Sequence, residues 1–111
     1  MPRLQYARRV GQPVAVTLRP TATPGRVRFD LNRSLTGMGH ERYASRAEAR
    51  GPTPGAELAR RLFDRGAVRA VHVYSNTVTV DLATGVDATT LVAVVEELYR
   101  HWQPGMVPTV G

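Results

Sequence analysis

Apolar residues recur along this chain at two spacings, and the switch between them outlines the fold. In PVAVTLRP, Val14, Val16 and Leu18 alternate with Ala15, Thr17 and Arg19, the pattern of a half-buried strand. TATPG reads as a turn. RVRFDL alternates again, with Val27, Phe29 and Leu31 on one face and Arg26, Arg28 and Asp30 on the other, so the two runs predict a hairpin. NRSLTGMG is a loop, and HERYA predicts a short edge strand. Ser45 to Glu48 fits a capping box that starts one helical turn, and GPTPG then breaks the chain.

From Ala56 to about Arg65 the period changes to that of a helix. Leu58, Ala59, Leu62 and Phe63 share one face, while Glu57, Arg60, Arg61 and Asp64 lie largely away from it. Gly66 suits the end of that helix. Val68 to Tyr74 reads as a strand, with Ser75-Asn76 as the turn because Asn tolerates positive φ. Val78, Val80 and Leu82 then alternate with Thr77, Thr79 and Asp81. Asp87 is a good N-cap for a last helix running to about Trp102, whose Leu91, Val94, Val95, Leu98 and Trp102 share a face. The order β-β-(β)-α-β-β-α predicts an α+β domain, a mainly antiparallel sheet of four to five strands with two helices on one face. Its expected core holds Phe29, Leu58, Leu62, Phe63, Val78, Val80, Leu91, Val95 and Leu98. Residues 1–12 read as a basic arm, 13–102 as the single domain and 103–111 as a tail.

Composition narrows the chemistry. The chain has 111 residues, 42% of them hydrophobic, enough for one core and not for two domains. No apolar run approaches the roughly 20 residues of a membrane span. Zero cysteines exclude disulfides, thiolate metal sites and a cysteine nucleophile, and they fit a cytoplasmic protein. The formal charge of +6 and pI of about 11.0 invite a nucleic-acid reading. All fifteen basic residues are arginine, however, which points to GC-rich coding and discounts the charge as a sign of function.

Few residues carry chemistry. His40, His72 and His101 are scattered, and no H-x-E-x-H-like cluster exists. His40 beside Glu41 sits in a loop, where sites usually live. His72 lies on the same strand face as Tyr74, and His101 is placed to complement a helix dipole. His40, Glu41 and His72 are therefore the candidate ligands. The serines lack a nucleophile-elbow context, and GMGHER is no phosphate loop. Arg60, Arg61 and Arg65 are expected to project from the polar side of the first helix, with Arg69 starting the next strand. Together they make a candidate basic patch for an acidic partner or nucleic acid. No aromatic platform accompanies that patch in the sequence.

AELARRLFDRGAVRAVHVYSNTVTVDL, residues 56–82, resembles the N-terminal domain of the Nfu/NifU iron–sulfur scaffold proteins. Leu58, Ala59, Leu62 and Phe63 fall on its helix positions, Val68 and Val71 on the valines of its next strand, and Asn76, Val78, Thr79 and Val80 along the second. Upstream, Thr23, Pro24 and Phe29 match its T-P-N-P-N-x-L-K-F motif, without the asparagines. Ala56-Glu57 replaces a serine-proline, His72 stands where an aromatic is usual and Thr77 where Phe is. In cluster-carrying members the cluster sits on C-x-x-C in a separate C-terminal domain. The resemblance thus implies a stand-alone, non-enzymatic accessory domain of iron–sulfur protein maturation that needs no cofactor. Its expected partner is the protein that owns the cysteines, a scaffold or a client. A small basic nucleic-acid-binding protein is the alternative, and a hydrolase or metalloenzyme using His40 and Glu41 is a distant third.

Overall fold

A computed structural model describes residues 14–36 and 39–102. The expected basic arm and tail lie outside the described residues, as does the side chain of His101. The strands are β1 (Val16–Pro20), β2 (Arg26–Leu31), β3 (His40–Tyr43), β4 (Val68–Tyr74) and β5 (Thr77–Leu82). They form one antiparallel sheet in the order β1-β2-β5-β4-β3. Helix α1 spans Pro54–Asp64. The second helical layer begins as a 3₁₀ turn at Ala88–Leu91 and continues as α2 (Val92–Glu96) and α3 (Leu98–His101). The α+β class, the antiparallel sheet and the one-sided helix layer agree with the sequence pattern. No helix among the described residues is long and apolar enough to cross a membrane.

Register explains the division of faces. Opposed residues in an antiparallel sheet share a face, and Phe29 pairs with Val78, Val80 with both Val27 and Val71, and Val73 with Val78. Phe29, Val73, Val78 and Val80 are fully buried, in one cluster with Leu58, Leu62, Leu91, Val95 and Leu98. Of the expected core, Phe63 alone is partly buried, packed at the margin of the cluster.

Helix boundaries differ from the pattern for identifiable reasons. GPTPG holds the start of α1 and does not merely break the chain. Thr53 is the N-cap, its hydroxyl accepting the Ala56 N–H at 3.1 Å, and Pro54 takes the first helical position, where its missing N–H costs nothing. The helix ends in a Schellman arrangement. The Ala67 N–H donates to Leu62 O and the Gly66 N–H to Phe63 O, with Gly66 at φ 67°. At Ser45 the expected capping box does not form. Ser45 makes no side-chain cap bond, and Glu48 instead accepts the Ala44 N–H at 2.7 Å. The last helix is broken at Glu97, and its entry is a 3₁₀ turn in which Asp87 accepts both the N–H and the hydroxyl of Thr89.

The β4–β5 turn also departs from expectation. The positive φ falls on Ser75, at 55°, while Asn76 uses its amide to donate to Leu31 O. The Ser75 carbonyl accepts the Leu35 N–H at 2.7 Å, so the loop after β2 is tied to this turn.

Candidate functional site

Helices cover one face of the sheet, and the other face collects the polar half of every alternating strand. Register sets its rows. Arg19, Arg28, Thr79, His72 and Arg42 lie side by side across all five strands. Thr17, Asp30, Thr77, Tyr74 and His40 form the neighbouring row, and Arg26, Asp81 and Ala70 begin a third. Neighbouring strands are about 4.8 Å apart, so each five-strand row crosses roughly 19 Å.

Charges on this face are only partly matched. Asp30 takes both Arg19, at 2.6 Å, and Arg28, at 2.9 Å. Burial pushes the Asp30 carboxyl upward, but the hydrogen bonds and charges of Arg28 and Arg19 together outweigh it and hold the carboxyl below its ordinary range. Arg26 grips Asp81 with two donors, at 2.6 and 3.2 Å, and that hydrogen bonding holds the Asp81 carboxyl low and raises the guanidinium. Arg42 has no ion-pair partner among the described residues. Four arginines thus face two aspartates in these rows, a surplus of two positive charges.

Beside Arg42 stands a cluster of rings. His40 Nδ1 and His72 Nε2 are 2.8 Å apart, so one nitrogen donates and the other accepts. The His40 ring stacks on Tyr74 with centroids 4.1 Å apart and planes 18° from parallel. Tyr74 is 43% exposed, the one exposed large hydrophobic side chain among the described residues. Burial lowers the His72 pKa, and the charges of Arg42 and His40 lower it further, which favours the neutral imidazole. A shallow depression of about 430 Å³ opens alongside, lined among others by Arg26, Arg42, His72, Thr79 and Asp81.

The ligand candidates of the sequence are thus divided. His40 and His72 are brought together, although His40 opens β3 and does not belong to a loop. Glu41 is separated from them by strand alternation and faces the helix side. There it accepts the hydroxyls of Tyr43 and Thr53, each at 2.9 Å, and so braces the N-cap of α1. A Cβ on Gly55 would stand 2.5 Å from Glu41 Oε1, which shows how closely the helix start approaches that carboxylate. Burial and the Glu41 hydrogen bond push the Tyr43 phenol up to about 12. Glu41 is a structural residue in this geometry and cannot join His40 in a metal or acid–base pair. Among the described residues no group of three or more His, Cys, Asp or Glu could hold a metal ion.

The expected arginine patch on α1 does not form as one surface. Arg60 is 4% exposed and points inward. Its guanidinium donates to Ala49 O, Gly51 O and Glu57 Oε1 at 2.8–2.9 Å, pinning the preceding loop to the helix. Three acceptors for one cation compensate its desolvation. Arg61 is held by Glu57 at 2.8 Å. Arg65 is exposed at the helix end. Arg69 sits at the irregularity in β4 and donates to Thr84. Helical periodicity put Arg60 with the polar residues, but it cannot foresee that the loop at 49–53 folds over that side.

Sequence reasoning overlooked Arg42, Arg28 and Tyr74 as members of one site. The signal was present in part, because alternation already placed Arg26 and Arg28 opposite Phe29. What was missing was the strand order, which sets β3 against β4 and so brings His40 and Arg42 to His72 and Tyr74.

Neither a family model nor a curated protein matches the sequence. Among solved structures, the chain is similar to the protein SAV1430 from Staphylococcus aureus, known from an X-ray crystal structure, with a TM-score of 0.58 and 14% identity. The match covers 79% of this chain and 99% of that one. At this identity the likeness is one of fold.

Proposed function

We propose that this chain is a non-enzymatic interaction domain of the Nfu N-terminal type. It serves as an accessory in iron–sulfur protein maturation, works in the cytoplasm, and binds a protein that owns the cysteines. The supporting observation is the asymmetry of the sheet. One face is sealed by helices, and the other offers cations, imidazoles and a phenol across five strands. These groups suit recognition. Cluster ligation calls for thiolates, and the sequence has none. The residues that carry the family resemblance, including Leu58, Leu62, Val71, Val78 and Val80, build the core beneath that face.

Two experiments test the reading. Anaerobic incubation with iron and sulfide is expected to leave the chain colourless. Calorimetry against a cysteine-bearing NifU-type cluster domain is expected to show saturable binding. A stoichiometric visible chromophore on this chain, or no binding to the cluster domain either empty or loaded, contradicts the proposal.

One observation favours a second reading. A basic sheet face beside stacked rings is the arrangement many single-strand binders use. Six or more phosphate contacts to a single strand would make affinity fall about three-hundredfold or more between 50 and 200 mM salt. Binding to generic single strands weaker than roughly 10⁻⁶ M at physiological salt would leave this reading without support.

A further inference from the structure

We infer that the open sheet face is the docking surface for an acidic protein segment, whose carboxylates are read by Arg42, Arg28 and the His40–His72 pair. The inference rests on the interaction-domain reading above and adds the place and the chemistry of the partner.

Charge complementarity selects the occupant. The three rows carry two positive charges more than their aspartates balance, with the Glu48 carboxylate at the edge of the same depression, and Arg42, in the row that His72 continues, has no ion-pair partner among the described residues. A guanidinium offers a flat fork of donors that fits a carboxylate with two parallel hydrogen bonds. Arg28 already spends donors on Asp30, and an incoming carboxylate would compete there only for what remains. Two occupants from the chain itself are disfavoured by the same arithmetic. A second copy carries the same +6, and residues 1–12 hold three arginines and no carboxylate.

Two features set an acidic peptide above a nucleic acid. Asp30 and Asp81 stand among the arginines, so a regular row of phosphates would meet fixed negative charge at two places. The stacking capacity of the site is also partly spent internally. Tyr74 and His40 are directly opposed across β4 and β3 and stack on each other, which closes one face of each ring to a base. What they still offer is His40 Nε2, its Nδ1 being held by His72, and the phenol oxygen, which suit hydrogen bonding to carboxylates and peptide groups.

The test is a backbone amide NMR titration of the full chain. The probes are a capped Glu-rich peptide of about ten residues and a thymidine oligonucleotide of about ten nucleotides, each at low and at physiological salt. The expected result is peptide-induced shifts on β3, β4 and β2, around Arg42, His72 and Arg28. Affinity for the peptide should fall about tenfold or more in Arg42→Glu and less than about twofold in Arg65→Glu, at the end of α1. The Arg42→Glu spectrum itself reports whether that variant is folded. Shifts confined to the helix side overturn the assigned surface and leave the interaction-domain reading standing. Oligonucleotide bound about tenfold tighter than the peptide on the open face overturns both. No peptide binding at low salt overturns the inference, and the cluster-domain calorimetry then decides the broader proposal independently.

Discussion

Arg60 and Arg42 lie on opposite sides of one sheet and show what the two sides are built for. Arg60, under the loop that precedes α1, is sealed from solvent and gives its donors to Ala49, Gly51 and Glu57. Arg42, on β3, is exposed and has no ion-pair partner among the described residues. The same side chain is a structural rivet in one place and an unspent cation in the other. On the covered side the strands contribute Phe29, Val73, Val78 and Val80, all fully buried. On the open side the alternate residues of those strands contribute Arg28, His72 and Thr79, in one row with Arg42. Stability should therefore reside on the covered side and recognition on the open one, and substitutions can separate the two.

The largest effect is expected at Arg60. Reversing its charge in Arg60→Glu leaves two carbonyls unpaired and sets a second carboxylate against Glu57. Breaking a buried ion pair costs about 3–5 kcal/mol, a large share of the 5–15 kcal/mol that holds a typical domain together. Urea denaturation should show a variant near the edge of folding. A loss below about 1 kcal/mol would mean that the loop at 49–53 does not depend on this contact. Leu62→Ala removes a fully buried side chain facing the sheet and should cost about 2–5 kcal/mol on the same assay. Thr53→Ala deletes the N-cap acceptor of the Ala56 N–H and one donor to Glu41, and should cost about 1 kcal/mol.

A smaller, pH-dependent effect is expected from the open face. Burial, then Arg42, then His40 lower the His72 pKa below its ordinary 6.5, so the unfolded chain takes up this proton more readily than the folded one. The stability linked to His72 is therefore fully present above pH 6.5 and is lost as pH falls through the lower folded value. Between pH 7 and pH 5 the denaturation midpoint of the native chain should drop more than that of His72→Gln. Equal drops would show that His72 is not the titrating group.

How much of this was legible in the sequence follows from the range of the forces involved. Alternation in β1, β2 and β5 and the helical period of residues 56–65 are local, so the faces, the α+β class and nearly all of the core could be read directly. Gly66 was legible as a helix end because the Schellman turn needs only its own neighbours. Thr53 was legible in principle, since a Thr-Pro pair before an apolar period is a start signal, but the two glycines around it read as a break. Residues in long-range contact were another matter. Arg60 is buried by a segment about ten residues upstream. Ser75 and Asn76 are bonded to a loop some forty residues away, and the positive φ falls on Ser75. The ring cluster exists only because β3 pairs with β4 across thirty residues. Composition was the least informative level. A charge of +6 says nothing of which arginines are buried, which are paired and which face solvent.

The central claim is that the open face binds the partner and contributes little to holding the fold. The most direct measurement is the affinity of Arg42→Glu for a cysteine-bearing NifU-type domain, taken with its urea midpoint. The account predicts stability within about 0.5 kcal/mol of the native chain. It also predicts affinity weakened about tenfold or more, mainly through slower, salt-sensitive association. Unchanged affinity in a fully folded Arg42→Glu protein would contradict it.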